Sequence, residues 1–235
     1  MDTKGIVTAA LLAILLIACI IVYKDAYPKK EKDPHARVTS MTVDAFFIAI
    51  LLAMAFVPSL GYIAVTPFLS FTLMHLPVLL GAALFGWKKG LLYGLIFGIS
   101  SYVNALTGTG FNALFAFPWV AIPPRVAFGL ISGILFSLIG KLNKKGVKGI
   151  YLSLVCFFMT ILHTILVFLD LFLFHYETVS SLFFSSQAIA ASFTFAAIIG
   201  LGMLGEAILA AVIIPPLHLA LTKAAPRIIN RVKNN

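Results

Sequence analysis

Residues 45–87 run for 43 positions without one charged side chain, and no other feature of this chain limits its fold as strongly. The pattern recurs. Residues 90–124 are uncharged for 35 positions, 149–169 for 21 and 5–23 for 19, while 178–222 carry a single charge, Glu206. A helix needs roughly 20 apolar residues to cross a bilayer, so each run is long enough for one crossing and some for more. With 61% hydrophobic and 11% charged residues, against about 25% charged in a typical soluble domain, the chain lacks the material for a water-facing surface. It reads as a polytopic α-helical protein of the cell membrane.

The net charge of +9 does not point to nucleic acid, because the basic residues sit in the short breaks between apolar runs. Lys4 precedes the first run, 24–37 holds five Lys/Arg, Lys88-Lys89 forms a tight basic turn, 141–148 holds four Lys, and the tail 223–235 holds four Lys/Arg. The intervening breaks, 58–72, 107–119 and 175–186, contain only Glu177. Every second break is basic, and positively charged loops stay in the cytoplasm. The expected crossings are therefore about 5–23, 43–62, 72–87, 90–106, 122–140, 149–171 and 192–222, with the N-terminus outside and the C-terminus cytoplasmic. Residues 178–222 are long enough for two spans, but two would place the basic tail outside. One long helix kinked near Pro215-Pro216, preceded by a loop or short interfacial helix, fits better. The first run lacks the flanks and cleavage site of a signal peptide and reads as an anchor helix. The division is thus an anchor at 1–23, a basic linker at 24–41, a six-helix membrane domain at 42–222 and a basic tail at 223–235.

Cys19 and Cys156 lie in apolar runs, too far apart in sequence for a metal site, and read as small packing residues. No nucleophile-elbow, zinc-protease or phosphate-loop pattern is present, and no paired carboxylates occur at helical spacing, so an enzyme is not expected. With no nucleotide motif, uphill transport by this chain would need an ion gradient or a partner ATPase.

Polar residues inside the apolar runs carry more information. At about 1.5 Å per helical residue, Arg125 lies about 24 Å from Lys141, His163 about 22 Å from Lys148 and Glu206 about 26 Å from Lys223. Asn104 and His75 fall at similar depth. Ionisable groups there usually face the bundle interior or a wet cavity, although an outer interfacial layer gives the same spacing. Above them, Thr107-Gly108-Thr109-Gly110-Phe111-Asn112 and residues 115–124, with Trp119, form an uncharged aromatic loop. It suits a lid or an interfacial belt. Ala45, Ala49 and Ala53 place three small side chains on one helix face, as close helix packing in lipid requires, either within the chain or against a partner. Gly86, Gly90, Gly94 and Gly98 repeat that spacing and read as packing of a helical hairpin.

The run Leu76-Pro-Val-Leu-Leu-Gly-Ala-Ala-Leu-Phe-Gly-Trp-Lys-Lys-Gly90, the entry Ile122-Pro-Pro-Arg-Val-Ala-Phe-Gly129 and the alanine series together resemble the S components of energy-coupling factor (ECF) importers. The resemblance covers 42–222, and the pantothenate-type branch is the most similar. It implies a six-helix bundle that binds a small water-soluble vitamin, best matched by pantothenate. The implied partners are a transmembrane coupling subunit and two ATPases that hydrolyse ATP; this chain itself carries no cofactor. The resemblance makes Ala45, Ala49 and Ala53 the docking face. The expected substrate-binding set is Asn104, Asn112, Trp119, Arg125, His163 and Glu206, with Arg125 holding a carboxylate through its two parallel N–H donors. Another vitamin in the same role, or a self-sufficient secondary transporter, are the alternatives. The additional N-terminal helix departs from the family pattern.

Overall fold

Prolines and glycines punctuate the apolar runs, and several element boundaries fall at them, as at Pro34, Gly86, Pro118, Pro123, Gly140 and Pro226. In the computed structural model, residue 20 and residues 34–57, 60–66, 69–107, 110–140, 145–177, 179–180 and 189–233 are described. The anchor helix expected at 5–23, of which residue 20 alone is included, otherwise lies outside the described residues, as does the linker as far as residue 33.

Helix α1, Pro34–Phe56, begins at a proline, whose fixed φ suits a first helical turn. It starts within the basic segment, ahead of the position 43 expected from hydropathy. Strands β1 (Tyr62–Thr66) and β2 (Leu69–Thr72) pair antiparallel, Tyr62 opposite Thr72 and Ile63 opposite Phe71, with an irregularity between Ala64 and Thr66. Helix α2, His75–Phe85, follows, and Gly86 at φ 86° turns the chain into α3, Trp87–Leu106. That φ lies in the left-handed region, where glycine avoids the Cβ clash. A 3-10 turn (Gly110–Phe115) and the four-residue helix α4 (Pro118–Ala121) lead into α5, Pro123–Gly140. The long helices α6, Lys145–Phe174, and α7, Ile189–Ala224, come next, and α8, Pro226–Lys233, ends the described chain.

The hairpin corrects one expectation. Residues 72–87 were expected to cross as a helix, but α2 has 11 residues. At about 1.5 Å each they span about 16 Å, half of the roughly 30 Å hydrocarbon core. Strand β2 leads into α2, and it shares only residue 72 with the expected crossing. Segment 62–72 is rich in β-branched and aromatic residues, which favour extended backbone, and hydropathy alone does not distinguish extended from helical. The facing edges of β1 and β2 pair their backbone groups with each other.

Four described helices are long and apolar enough to cross a membrane alone: His35–Phe56, Pro118–Gly140, Val147–Phe174 and Gly200–Ala224. With α3 and the β2–α2 unit they form the all-α six-crossing bundle, and α7 runs unbroken through Pro215 and Pro216. Large apolar side chains such as Phe46, Phe158, Leu201 and Val212 are exposed around it, the arrangement expected where lipid replaces water. Direction alternates along the chain, so the hairpin, the 3-10 turn and α4 lie at one end, the hairpin end. Gly86 and α8 lie at the other, the tail end.

The glycine series has a second partner besides the expected hairpin. Gly90 lies against the backbone of Gly129, Gly94 against that of Arg125 and Gly129, and Gly98 against that of Ile122. Gly86 makes the α2–α3 turn and Gly90 also meets Ala82 across it, so the series packs that hairpin and in addition seats α3 antiparallel on α5, the most extensive helix pairing in the bundle. Cys156 is buried in the apolar core, as a small packing residue.

Candidate functional site

The contact between α3 and α5 sets the position of Arg125, because Gly94 leaves room for the Arg125 backbone itself. The side chain is buried. One terminal nitrogen, Nη1, donates to the carbonyls of Ala121 at 2.8 Å and Val120 at 3.5 Å. These carbonyls close α4, where helix C-termini carry partial negative charge. The guanidinium carbon lies 5.3 Å from the Phe97 ring centre and 5.2 Å from that of Phe115. Within about 6 Å, aromatic faces attract a cation. The fork is thereby fixed in place, while Nε is buried and has no hydrogen-bond partner among the described residues.

His163 on α6 lies beside it. Its ring packs on Phe97 at 5.5 Å and Phe128 at 4.9 Å, and Nε2 has no partner among the described residues. Both ring nitrogens of His75, at the start of α2, are likewise without one, although the imidazole faces the backbone of Thr72 and Glu206. The Tyr62 hydroxyl from β1 is the fourth such group. These groups share one neighbourhood: Arg125 acts electrostatically on Tyr62 and His163, and His75 on His163.

The expected binding set divides. Arg125 and His163 come together. Glu206 does not pair with Arg125; its Oε1 accepts from the Thr72 backbone N–H at 2.5 Å, fastening the end of β2 to α7 beside His75. Gly205 packs against the Phe71 ring, so the same turn of α7 receives the strand. Asn104 points elsewhere. Its Nδ2 donates to the Ala55 carbonyl at 2.5 Å and ties α3 to the last turn of α1. Trp119 joins an aromatic group at the hairpin end, 5.2 Å from Phe117 and 6.5 Å from Phe174. The Asn112 side chain lies outside the described residues. Ala45, Ala49 and Ala53 are all exposed on α1.

The residue reading did not identify Asp170, Tyr62 or the aromatic cage of Phe97 and Phe115. Asp170 lies within electrostatic reach of Arg125. It sits seven residues after His163, two turns along the same face of α6, and that spacing is readable from sequence. Tyr62 has no comparable signal, because only the hairpin brings it to α5. The site contains no group of three or more His, Cys, Asp or Glu able to hold a metal, among the described residues.

Comparison with known proteins gives a consistent result. Residues 41–218 match the family described as ECF transporter, substrate-specific component. The chain is 29% identical over 208 residues to the pantothenic acid transporter PanT of Lactococcus lactis subsp. cremoris, covering 80% of this chain and 96% of that protein. It is 31% identical over 102 residues to the pantothenate transporter PanT of Leuconostoc mesenteroides subsp. mesenteroides, covering 41% of this chain and 50% of that one.

Proposed function

This chain belongs to the family of ECF transporter substrate-specific components, and we propose that it captures pantothenate for an ATP-driven importer. It is a multi-pass membrane transport protein rather than an enzyme. The observation that carries the ligand assignment is a cluster of buried polar atoms without hydrogen-bond partners among the described residues: Arg125 Nε, His163 Nε2, both His75 nitrogens and the Tyr62 hydroxyl, with Ser132 Oγ and His175 Nε2 unpartnered outside it. Buried polar groups are nearly always paired, so a convergent unpaired set fits a ligand that supplies the missing acceptors and donors. Pantothenate carries a carboxylate, an amide and two hydroxyls, and the matched relatives are named for its transport. In this reading Arg125 takes the carboxylate, and the imidazoles and Tyr62 take the neutral polar groups.

Transport is driven by a coupling subunit and two ATPases, which hydrolyse ATP; this chain carries no cofactor of its own. The exposed alanines of α1 form the contact with the coupling subunit, because small side chains allow close backbone approach in lipid. The C-terminus is cytoplasmic and the N-terminus outside, supported by the lysines of 141–148 and the basic residues of α8. Lys89 no longer counts toward that argument, because it is buried in an ion pair with Asp44.

The decisive experiment is titration of the purified protein with pantothenate, after mass spectrometry of the small molecules it retains. Saturable binding that weakens roughly 10- to 150-fold in a folded Arg125→Ala variant is expected. Failure to bind pantothenate, with another vitamin retained, would replace the ligand while leaving the role. A cysteine in 141–148 should react only from the cytoplasm and one at Ser180 only from outside. Labelling of a cysteine at Asn234 from outside would reverse the orientation of the tail.

A further inference from the structure

The inward stripe of α1 is Ala36, Ser40, Asp44, Phe47, Leu51 and Ala55, all buried. Its outward surface is also apolar, with Val38, Met41, Phe46, Leu52 and Phe56 exposed. In water such a helix would be turned by hydrophobicity, but lipid is as apolar as the bundle interior and exerts little such preference. Something else must set which face looks outward.

Two polar ties to α3 do so. At the tail end Lys89 Nζ bridges two turns of α1, donating to Ser40 Oγ at 2.8 Å and to Asp44 Oδ2 at 2.6 Å. The Tyr93 hydroxyl donates to Asp44 Oδ1 at 2.8 Å, so both carboxylate oxygens are held. The Tyr93 ring stacks on Phe47 with centres 4.8 Å apart, and Gly81 of α2 leaves room for its other edge. At the hairpin end Asn104 holds the Ala55 carbonyl. The two ties are 11 residues apart on α1, about 16 Å along the axis. Each position in a helix is turned about 100° from the last. Fixing Asp44 inward therefore fixes Ala45, and with it Ala49 and Ala53, on the exposed side.

We infer that Asp44, Lys89, Ser40 and Tyr93 form a rotational lock that presents the alanine face of α1 to the coupling subunit. They are positioning residues, and the inference rests on the docking reading above. A buried polar contact that specifies register is a well-attested use of such groups, even where an apolar replacement would be equally stable.

The test uses the full chain co-expressed with its coupling module. The double-neutral Asp44→Asn/Lys89→Met variant leaves no lone buried charge. It should bind vitamin as wild type does but capture about tenfold less module, the size of one buried polar coupling. Lys89→Arg retains the pair and should capture normally. A nitroxide attached at position 49 reads the rotation directly, and its exposure to lipid-dissolved oxygen should fall in the double-neutral protein. If that variant does not fold, Ser40→Ala/Tyr93→Phe trims the lock and should shift the same label less. Unchanged capture in the double-neutral protein, where Ala49→Trp blocks capture, overturns the lock and leaves the docking reading standing. Normal capture by Ala49→Trp removes the docking reading, and the nitroxide alone then judges the lock. An unmoved label in both lock variants overturns it.

Discussion

At the tail end of the bundle, Lys89 reaches both Asp44 and Ser40, and Tyr93 takes the second carboxylate oxygen. At the hairpin end, Arg125 reaches two carbonyls, yet its Nε, His163 Nε2, both His75 nitrogens and the Tyr62 hydroxyl have no partner among the described residues. Both groups bury charge. One is closed by the protein's own side chains and the other is left open. A closed network in a core holds elements in register; an open one stores unsatisfied donors that a ligand can answer. In the proposed reading the same bundle builds a joint at one end and a receptor at the other.

The contrast breaks most visibly at the joint. Lys89→Met alone strands the Asp44 carboxylate in the core, and removing one partner of a buried pair costs about 3–5 kcal/mol. Thermal unfolding in detergent should show a large loss, and the Asp44→Asn/Lys89→Met double variant should recover most of it. Full stability in the single variant would mean that Asp44 finds another partner or takes up a proton.

The receptor should behave in the opposite way. Arg125→Ala removes a donor that the empty protein leaves partly unsatisfied, so stability should change little. Binding should weaken roughly 10- to 150-fold, from about 1.5–3 kcal/mol for a charged hydrogen bond. Arg125→Lys keeps the charge but loses the fork, and isothermal titration should place its affinity between the two. A folded Arg125→Ala protein with unchanged affinity would make the open cluster something other than the vitamin site.

A third change touches the seat under the receptor. Leucine at Gly129 meets the Gly90 backbone and forces α3 from α5. Overpacking of this kind costs about 1–3 kcal/mol, and here it should lower stability and binding together, unlike either charge variant. The smallest effect is expected at the hairpin. Glu206→Gln keeps a neutral acceptor for the Thr72 N–H but loses the charge assistance, worth about 1 kcal/mol. Hydrogen exchange at the Thr72 amide should speed up roughly fivefold, and an unchanged rate would show that Glu206 does not fasten β2.

Much of this was legible in residue order, and the misses share a cause. The crossings at α1, α3, α5, α6 and α7 follow from apolar length, and Arg125 and His163 follow from depth along their helices. Asn104 has the same depth as these two but turns to Ala55, because depth says nothing about rotation around a helix axis. Lys89 reads as a loop charge beside Lys88, and only α1 packed alongside α3 reveals Asp44 as its partner. Asp170 lies one residue beyond an uncharged run, and its seven-residue spacing from His163 puts both on one face of α6.

What the sequence determined by itself is therefore one-dimensional: how many times the chain crosses, where it turns, and how deep each polar residue lies. Those follow from apolar length and from the cost of charge in lipid, both local to a segment. The tertiary structure decided the rest. It brought Arg125, His163, His75 and Tyr62 from four separate elements into one neighbourhood, paired Asp44 with Lys89, and folded the expected break at 58–72 into a hairpin. Rotation about each axis and pairing between distant segments depend on contacts between helices, and in a medium as apolar as the core no single helix carries that information alone.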